Sequence, residues 1–158
     1  MPPPLLIDLN EVDLSRVCLT REQVYDQLPH RFEFALLSGA CMVDTPGKRI
    51  VAYSDIEAAD WWTRGHVPGR PLLPGVLMLE MAAQASAVLA KLIDGSGAFV
   101  GFGGVERCKF REAVVPPTRL HLLVVGVEHR PRRIVSDAQG VVDGKLVFEA
   151  RITGLVMR

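Results

Sequence analysis

The sequence predicts an α+β domain in which one long helix is enclosed by an antiparallel sheet. Three observations lead there. The run Val76 to Ile93, VLMLEMAAQASAVLAKLI, is apolar around the whole circumference of a helix, as suits a helix surrounded by protein. Strand-like runs follow it with no helical pattern between them. Strands and helices do not alternate, which argues against a doubly wound parallel sheet.

In chain order, Thr20 with Gln23 three residues on reads as the cap of a short helix through Leu28, stopped by Pro29. Phe34 to Val43 and Arg49 to Ile56 read as a hairpin about the turn Thr45-Pro46-Gly47-Lys48. Asp60 to Leu73 reads as an ordered loop, with Trp61 and Trp62 packing it over the core. The long helix starts near Pro74-Gly75 and ends at Asp94-Gly95-Ser96-Gly97, where Gly95 suits a left-handed C-terminal position. Phe99 to Phe110, Arg119 to Glu128, Arg133 to Val141 and Lys145 to Met157 complete a sheet of about six strands, Asp143-Gly144 marking a tight hairpin.

The 158 residues fit one domain, 1–158, with 1–19 as an N-terminal extension. Composition, 49% hydrophobic and 23% charged, is that of an ordinary globular protein. Eighteen basic residues balance eighteen acidic ones, which weighs against a general nucleic-acid binder. Cys18, Cys41 and Cys108 form no C-x-x-C pair and read as reduced thiols in a cytoplasmic protein. Met1 to Asn10 lacks the basic and apolar regions of a secretory signal. The Val76–Ile93 run approaches membrane-spanning length, yet Glu80, Gln84 and Lys91 interrupt it. A mid-span carboxylate costs about 2.5–3.5 kcal/mol, so a buried helix is the better reading and no membrane is expected.

The chemistry concentrates in Gly65-His66-Val67-Pro68-Gly69-Arg70-Pro71-Leu72-Leu73-Pro74-Gly75 and the helix behind it. Glycines and prolines restrict this loop, and His66 is the histidine it holds. Glu80 stands between Leu79 and Met81, where apolar surroundings raise a carboxyl pKa and favour the acid form. Gln84, one turn on, faces the same way and can orient it. Gly75 or Val76 at the helix start offers a free N–H to a developing oxyanion. Each feature has a plainer reading too: an exposed loop histidine, a solvent-reaching glutamate, an ordinary Pro-Gly helix start. The residues alone name candidates and no substrate.

The run D-W-W-T-R-G-H-V-P-G-R-P-L-L-P-G-V-L-M-L-E-M-A-A-Q-A resembles the signature of bacterial (3R)-hydroxyacyl-acyl-carrier-protein dehydratases, G-H-F-P-x-x-P-x-x-P-G followed by an E-x-x-x-Q helix. The fourteen-residue separation of His66 and Glu80 agrees with that pattern. L-P-H-R-F-E-F at Leu28 to Phe34 and C-K-F-R-E-A-V-V-P-P-T at Cys108 to Thr118 also agree, in order. Val67 in place of phenylalanine, Pro117-Thr118 in place of Gly-Asp, and Glu33 in place of proline are departures that suggest a divergent branch with altered chain preference.

The resemblance implies a hotdog fold, a sheet wrapped around the long helix, in a homodimer that can assemble as a trimer of dimers. It implies His66 of one subunit and Glu80 of the other as the catalytic pair, Gly75 as the backbone donor and Gln84 as support. The reaction implied is dehydration of 3-hydroxyacyl thioesters carried by acyl carrier protein or coenzyme A, without metal or cofactor. An acyl tunnel is expected along Val67, Leu73, Val76, Leu77, Phe99 and Phe110. Arg107, Lys109 and Arg111 alternate on an expected strand, so they share a face. That face either receives an acidic carrier protein or is a solvated, charge-protected edge. The rival functions are a hotdog acyl-thioester hydrolase and a non-catalytic binder of acyl carrier protein.

Overall fold

The computed structural model describes residues 1–95 and 97–157. Helix α2, Gly75–Asp94, is its axis. Met78, Met81, Ala82, Ala85, Val88 and Leu89 are buried along it, each apolar side chain larger than alanine worth about 1.5–3 kcal/mol once out of water. Gly95, at φ 68°, ends the helix and donates its N–H to the Lys91 carbonyl at 2.7 Å. Ser96, part of the expected stop, lies outside the described residues.

The sheet is formed by β1 (Leu19–Thr20), β2 (Gly39–Asp44), β3 (Arg49–Ile56), β4 (Phe99–Phe110), β5 (Thr118–His129), β6 (Arg133–Val142) and β7 (Lys145–Met157). All neighbours are antiparallel, in the order β1-β2-β3-β5-β6-β7-β4. Seven strands stand where about six were expected, and β1 is only two residues long. Asp143 and Gly144, both at positive φ, make the tight β6–β7 turn. Bulges interrupt the β2–β3, β5–β6, β6–β7 and β4–β7 ladders, and such insertions bend and twist strands. The curled sheet lays β3, β5, β6 and β7 against α2. β4 is an edge.

The long helix and the four strands after it match the sequence reading to within a residue or two. The expected strand from Phe34 does not form. A 3-10 turn occupies Phe32–Phe34, and β2 begins at Gly39. Side chains take the backbone groups between them: Gln84 Nε2 donates to the Phe34 carbonyl at 2.9 Å, Ser54 Oγ to Leu36 at 2.6 Å, and Leu37 N–H donates to Tyr25 Oη at 2.7 Å. A segment satisfied this way has no ladder to join. The short helix α1, Arg21–Asp26, carries the expected Thr20–Gln23 capping box but stops before Leu28.

The stretch 1–19 is more than an appendage. Its Ile7 is buried against Cys41, Val51, Tyr53, Leu123 and Val141, on the face of the sheet turned away from α2. Gln139 clamps the same segment, accepting from Leu6 N–H at 2.8 Å and donating to the Pro4 carbonyl at 3.1 Å. Leu19 already belongs to the sheet. The substitution Ile7→Ala is therefore expected to cost about 2–5 kcal/mol in urea unfolding. A loss within about 0.5 kcal/mol, typical of a surface change, would show that the segment is not docked.

Candidate active site

Two elements present the candidate groups. The loop between β3 and α2 is pinned along its length. Trp62 is buried, and its carbonyl accepts the N–H of His66 at 2.9 Å. Leu72 N–H returns to the His66 carbonyl at 3.1 Å, and Leu73 N–H reaches Val114 O at 2.9 Å. Trp61, expected to pack inward, is instead 56% exposed. The His66 ring is exposed, with Nδ1 2.8 Å from the Leu72 carbonyl. A carbonyl only accepts, so this contact places the proton on Nδ1. In the neutral ring that tautomer carries the free lone pair on Nε2, the form a base requires.

Gly75 opens α2 beneath this loop, and the first N–H groups of a helix have no intrahelical acceptor. A Cβ at Gly75 would lie 2.9 Å from the Phe110 ring, which itself stacks on Phe148 at 5.5 Å between centroids. The residue is glycine because nothing larger fits under that ring.

Glu80 lies one and a half turns further, at a cavity of about 190 Å³ bounded by α2 and the inner faces of β4, β6 and β7. Phe99, Val100, Ile134 and Ile152 are its apolar walls. Burial pushes the Glu80 carboxyl above its usual range, while a hydrogen bond from Gln84 pulls it partway back. Gln84 is itself held: it accepts from Tyr25 Oη at 2.7 Å and donates to Phe34 O at 2.9 Å. Burial raises the Tyr25 phenol to about 12, so it stays a donor across the ordinary pH range.

Two participants escaped the sequence reading. His30 also lines the cavity, its Nε2 4.0 Å from Glu80 Oε1 and its buried Nδ1 without a hydrogen-bond partner among the described residues. Burial lowers its pKa, helped by Arg31 and Lys91, and favours the neutral ring. The Leu28–Phe34 motif was its signal in sequence. Arg31 explains the fixed geometry there, donating to the carbonyls of Tyr25, Leu28 and His30 at 3.1, 2.7 and 2.7 Å. Tyr25 carried no signal, since its partners lie far away along the chain.

The other expectations divide. Phe99 lines the Glu80 cavity; Val67, Leu73, Val76, Leu77 and Phe110 do not. Leu73 is in the core and Leu77 packs against it, while Val67, Val76 and Phe110 are exposed around the loop and the helix start. His66 is not among the cavity's lining residues either. The shared face expected of Arg107, Lys109 and Arg111 is broken by a bulge: Glu106 opposes Arg151 and Lys109 opposes Glu149, leaving one extra residue on β4. Arg107 sits there at φ 50°, and Arg111, just past β4, is bound to Glu149 at 2.5 Å.

The FabA-like domain family matches residues 28–151. A 3-hydroxyacyl-acyl-carrier-protein dehydratase FabZ of Enterococcus faecalis is 37% identical over 139 residues, covering 87% of this chain and 98% of that protein. The enzyme of the same name from Bacillus subtilis is 36% identical, covering 85% and 96%. Among solved structures, the dehydratase heterocomplex ApeI:P of Xenorhabdus doucetiae superposes with a TM-score of 0.74 at 15% identity, covering 85% and 91%. A hypothetical thioesterase with coenzyme A from Streptococcus pneumoniae gives 0.57 at 12%, covering 75% and 84%. These likenesses agree with the hotdog arrangement, a sheet around one central helix.

Removing the hydroxyl in Tyr25→Phe strands both the Leu37 N–H and the Gln84 carbonyl oxygen in the interior. A loss of about 1–3 kcal/mol is expected in urea unfolding, the cost of unpaired buried polar groups. Stability equal to wild type would show that this chain of bonds does not hold the site.

Proposed function

The chain belongs to the FabA-like family, and from that premise we propose that it dehydrates (3R)-3-hydroxyacyl thioesters to trans-2-enoyl thioesters in fatty acid biosynthesis. The observation that carries this reading is a carboxyl group with a raised pKa at the edge of an apolar cavity, held by Gln84. A carboxyl whose acid form is favoured by burial can deliver its proton to a leaving hydroxyl. His66, with Nε2 unprotonated, takes the proton from C2. The C3–O bond then breaks, Glu80 protonates the departing oxygen, and water leaves with the double bond between C2 and C3. Gly75 N–H, at the positive end of α2, meets the charge that gathers on the thioester oxygen. One such donor supplies about 10²–10³-fold.

The substrate proposed is the acyl-carrier-protein thioester, as in the names of the FabZ relatives. Lys109 with neighbouring basic groups is the proposed docking point for that acidic protein. The catalytic pair is proposed to come from two subunits, His66 of one and Glu80 of its partner, because His66 does not line the Glu80 cavity of its own chain. The β4 edge supports a homodimer. It is twelve residues long and exposes Phe99, Phe102, Val105 and Phe110, an apolar edge that needs covering. Assembly of three such dimers and a cytoplasmic location belong to the same proposal. Three unpaired cysteines agree with the reducing compartment.

His66→Ala and Glu80→Gln are each expected to abolish enoyl formation. Co-expressed, they should recover about a quarter of wild-type activity, since half of randomly paired dimers are mixed and each carries one intact site of two. No recovery from mixed dimers that demonstrably form would refute a shared site.

The pH profile follows from Glu80. Its acid form persists above the usual carboxylate range and disappears as pH rises through the raised value, so kcat should fall on the alkaline side. Gln84→Leu removes the bond that lowers this pKa, and the alkaline limb should move to higher pH. A limb that stays in place, or moves down, would take the proton-donor role away from Glu80.

A further inference from the structure

The stripe of α2 that carries Glu80 continues past its cavity. Ala83, Gln84 and Ala87 line the first cavity, and Ala90, Lys91 and Asp94 line a second one of about 300 Å³. Positions spaced three and four apart share one face of a helix, so the two spaces lie end to end along it.

Two residues line both cavities: Val100 and Ile134. Ile134 on β6 opposes Gly154 on β7, and Val100 on β4 opposes Val156, two residues further along the same strand. Side chains two apart on a strand point to the same face, so both aim inward. They converge over Gly154, where an added Cβ would lie 2.8 Å from Val100 Cγ1 and 2.8 Å from Ile134 Cγ1. The missing side chain at Gly154 is what lets the two aliphatic groups close over the gap.

Taking the dehydratase reading as premise, we infer that Val100 and Ile134 are the specificity-determining wall that ends the acyl channel. The channel runs from Glu80 to Ala87, seven residues, or about 10 Å at the helical rise. An extended alkyl chain advances about 1.3 Å per carbon along C–C bonds of about 1.5 Å, so about eight carbons fit beyond C3. The substrates are medium-chain 3-hydroxyacyl thioesters of about ten to twelve carbons or fewer. A longer chain meets the wall, and directly behind it stands the second space, whose lining mixes Ala90, Pro131 and Val156 with Lys91, Asp94, His129 and Arg130.

The test compares 3-hydroxyoctanoyl and 3-hydroxyhexadecanoyl thioesters on one carrier, with the full chain and its variants I134A, V100A and I134F. The readout is the ratio of kcat/KM for the long substrate over the short one. It is expected to be well below one in wild type and to rise roughly tenfold or more in I134A, the scale on which a methylene in an apolar pocket is discriminated. V100A opens the same wall from the opposite strand and should raise the ratio too, which keeps the test valid if I134A fails to fold. I134F should lower it further. An unchanged ratio in the folded opening variants overturns the wall. Failure of wild type to form enoyl product from either substrate overturns instead the dehydratase reading beneath it.

Discussion

A carboxyl group on the most enclosed helix of the molecule is the constraint around which the rest is arranged. Glu80 is tolerated there because the sheet does not close evenly around α2. β3, β5, β6 and β7 pack against the helix, whereas β4 stands off at the edge and leaves a cavity beside the carboxyl. Gln84 then binds that carboxyl from one turn away, and Tyr25 and the Phe34 carbonyl hold Gln84 in turn. The same helix sets Gly75 under Phe110 at one end and runs its small residues along the cavity toward the other. One element therefore positions the proposed donor, the proposed acid and the cavity together, and a rotation of α2 would displace all three.

Legibility in the sequence followed the range of the interactions. Helix α2 and the strands after it were readable because their signals are local: an uninterrupted apolar run, then runs separated by turn residues. His66, Gly75, Glu80 and Gln84 could be singled out as candidates because they lie within one short stretch of distinctive composition. What escaped depends on partners far along the chain. Tyr25 matters through Leu37 and Gln84, and the stretch after Phe34 leaves the sheet because side chains of α2 and β3 take its backbone groups. Arg107, Lys109 and Arg111 look like one charged face under strict alternation. A single extra residue on β4 breaks that parity, and no local pattern announced it.

Two groups that the proposed chemistry needs lie apart in the single chain. His66, with Nδ1 committed to the Leu72 carbonyl, sits exposed, and the raised carboxyl of Glu80 opens to a cavity that the histidine does not line. On the same molecule a long edge strand exposes four large apolar side chains. Pairing two copies is one arrangement that would answer both features at once. Membership of the FabA-like family is consistent with such a pairing.

Product identity gives the most direct check on the central claim. Wild-type protein incubated with a medium-chain (3R)-3-hydroxyacyl-acyl-carrier-protein, followed by mass spectrometry of the carrier, should show loss of one water per acyl group. The thioester should remain intact and a trans-2-enoyl chain appear. Free thiol on the carrier with intact 3-hydroxy acid in solution would mean hydrolysis of the thioester. That result would contradict the acid–base elimination assigned to His66 and Glu80.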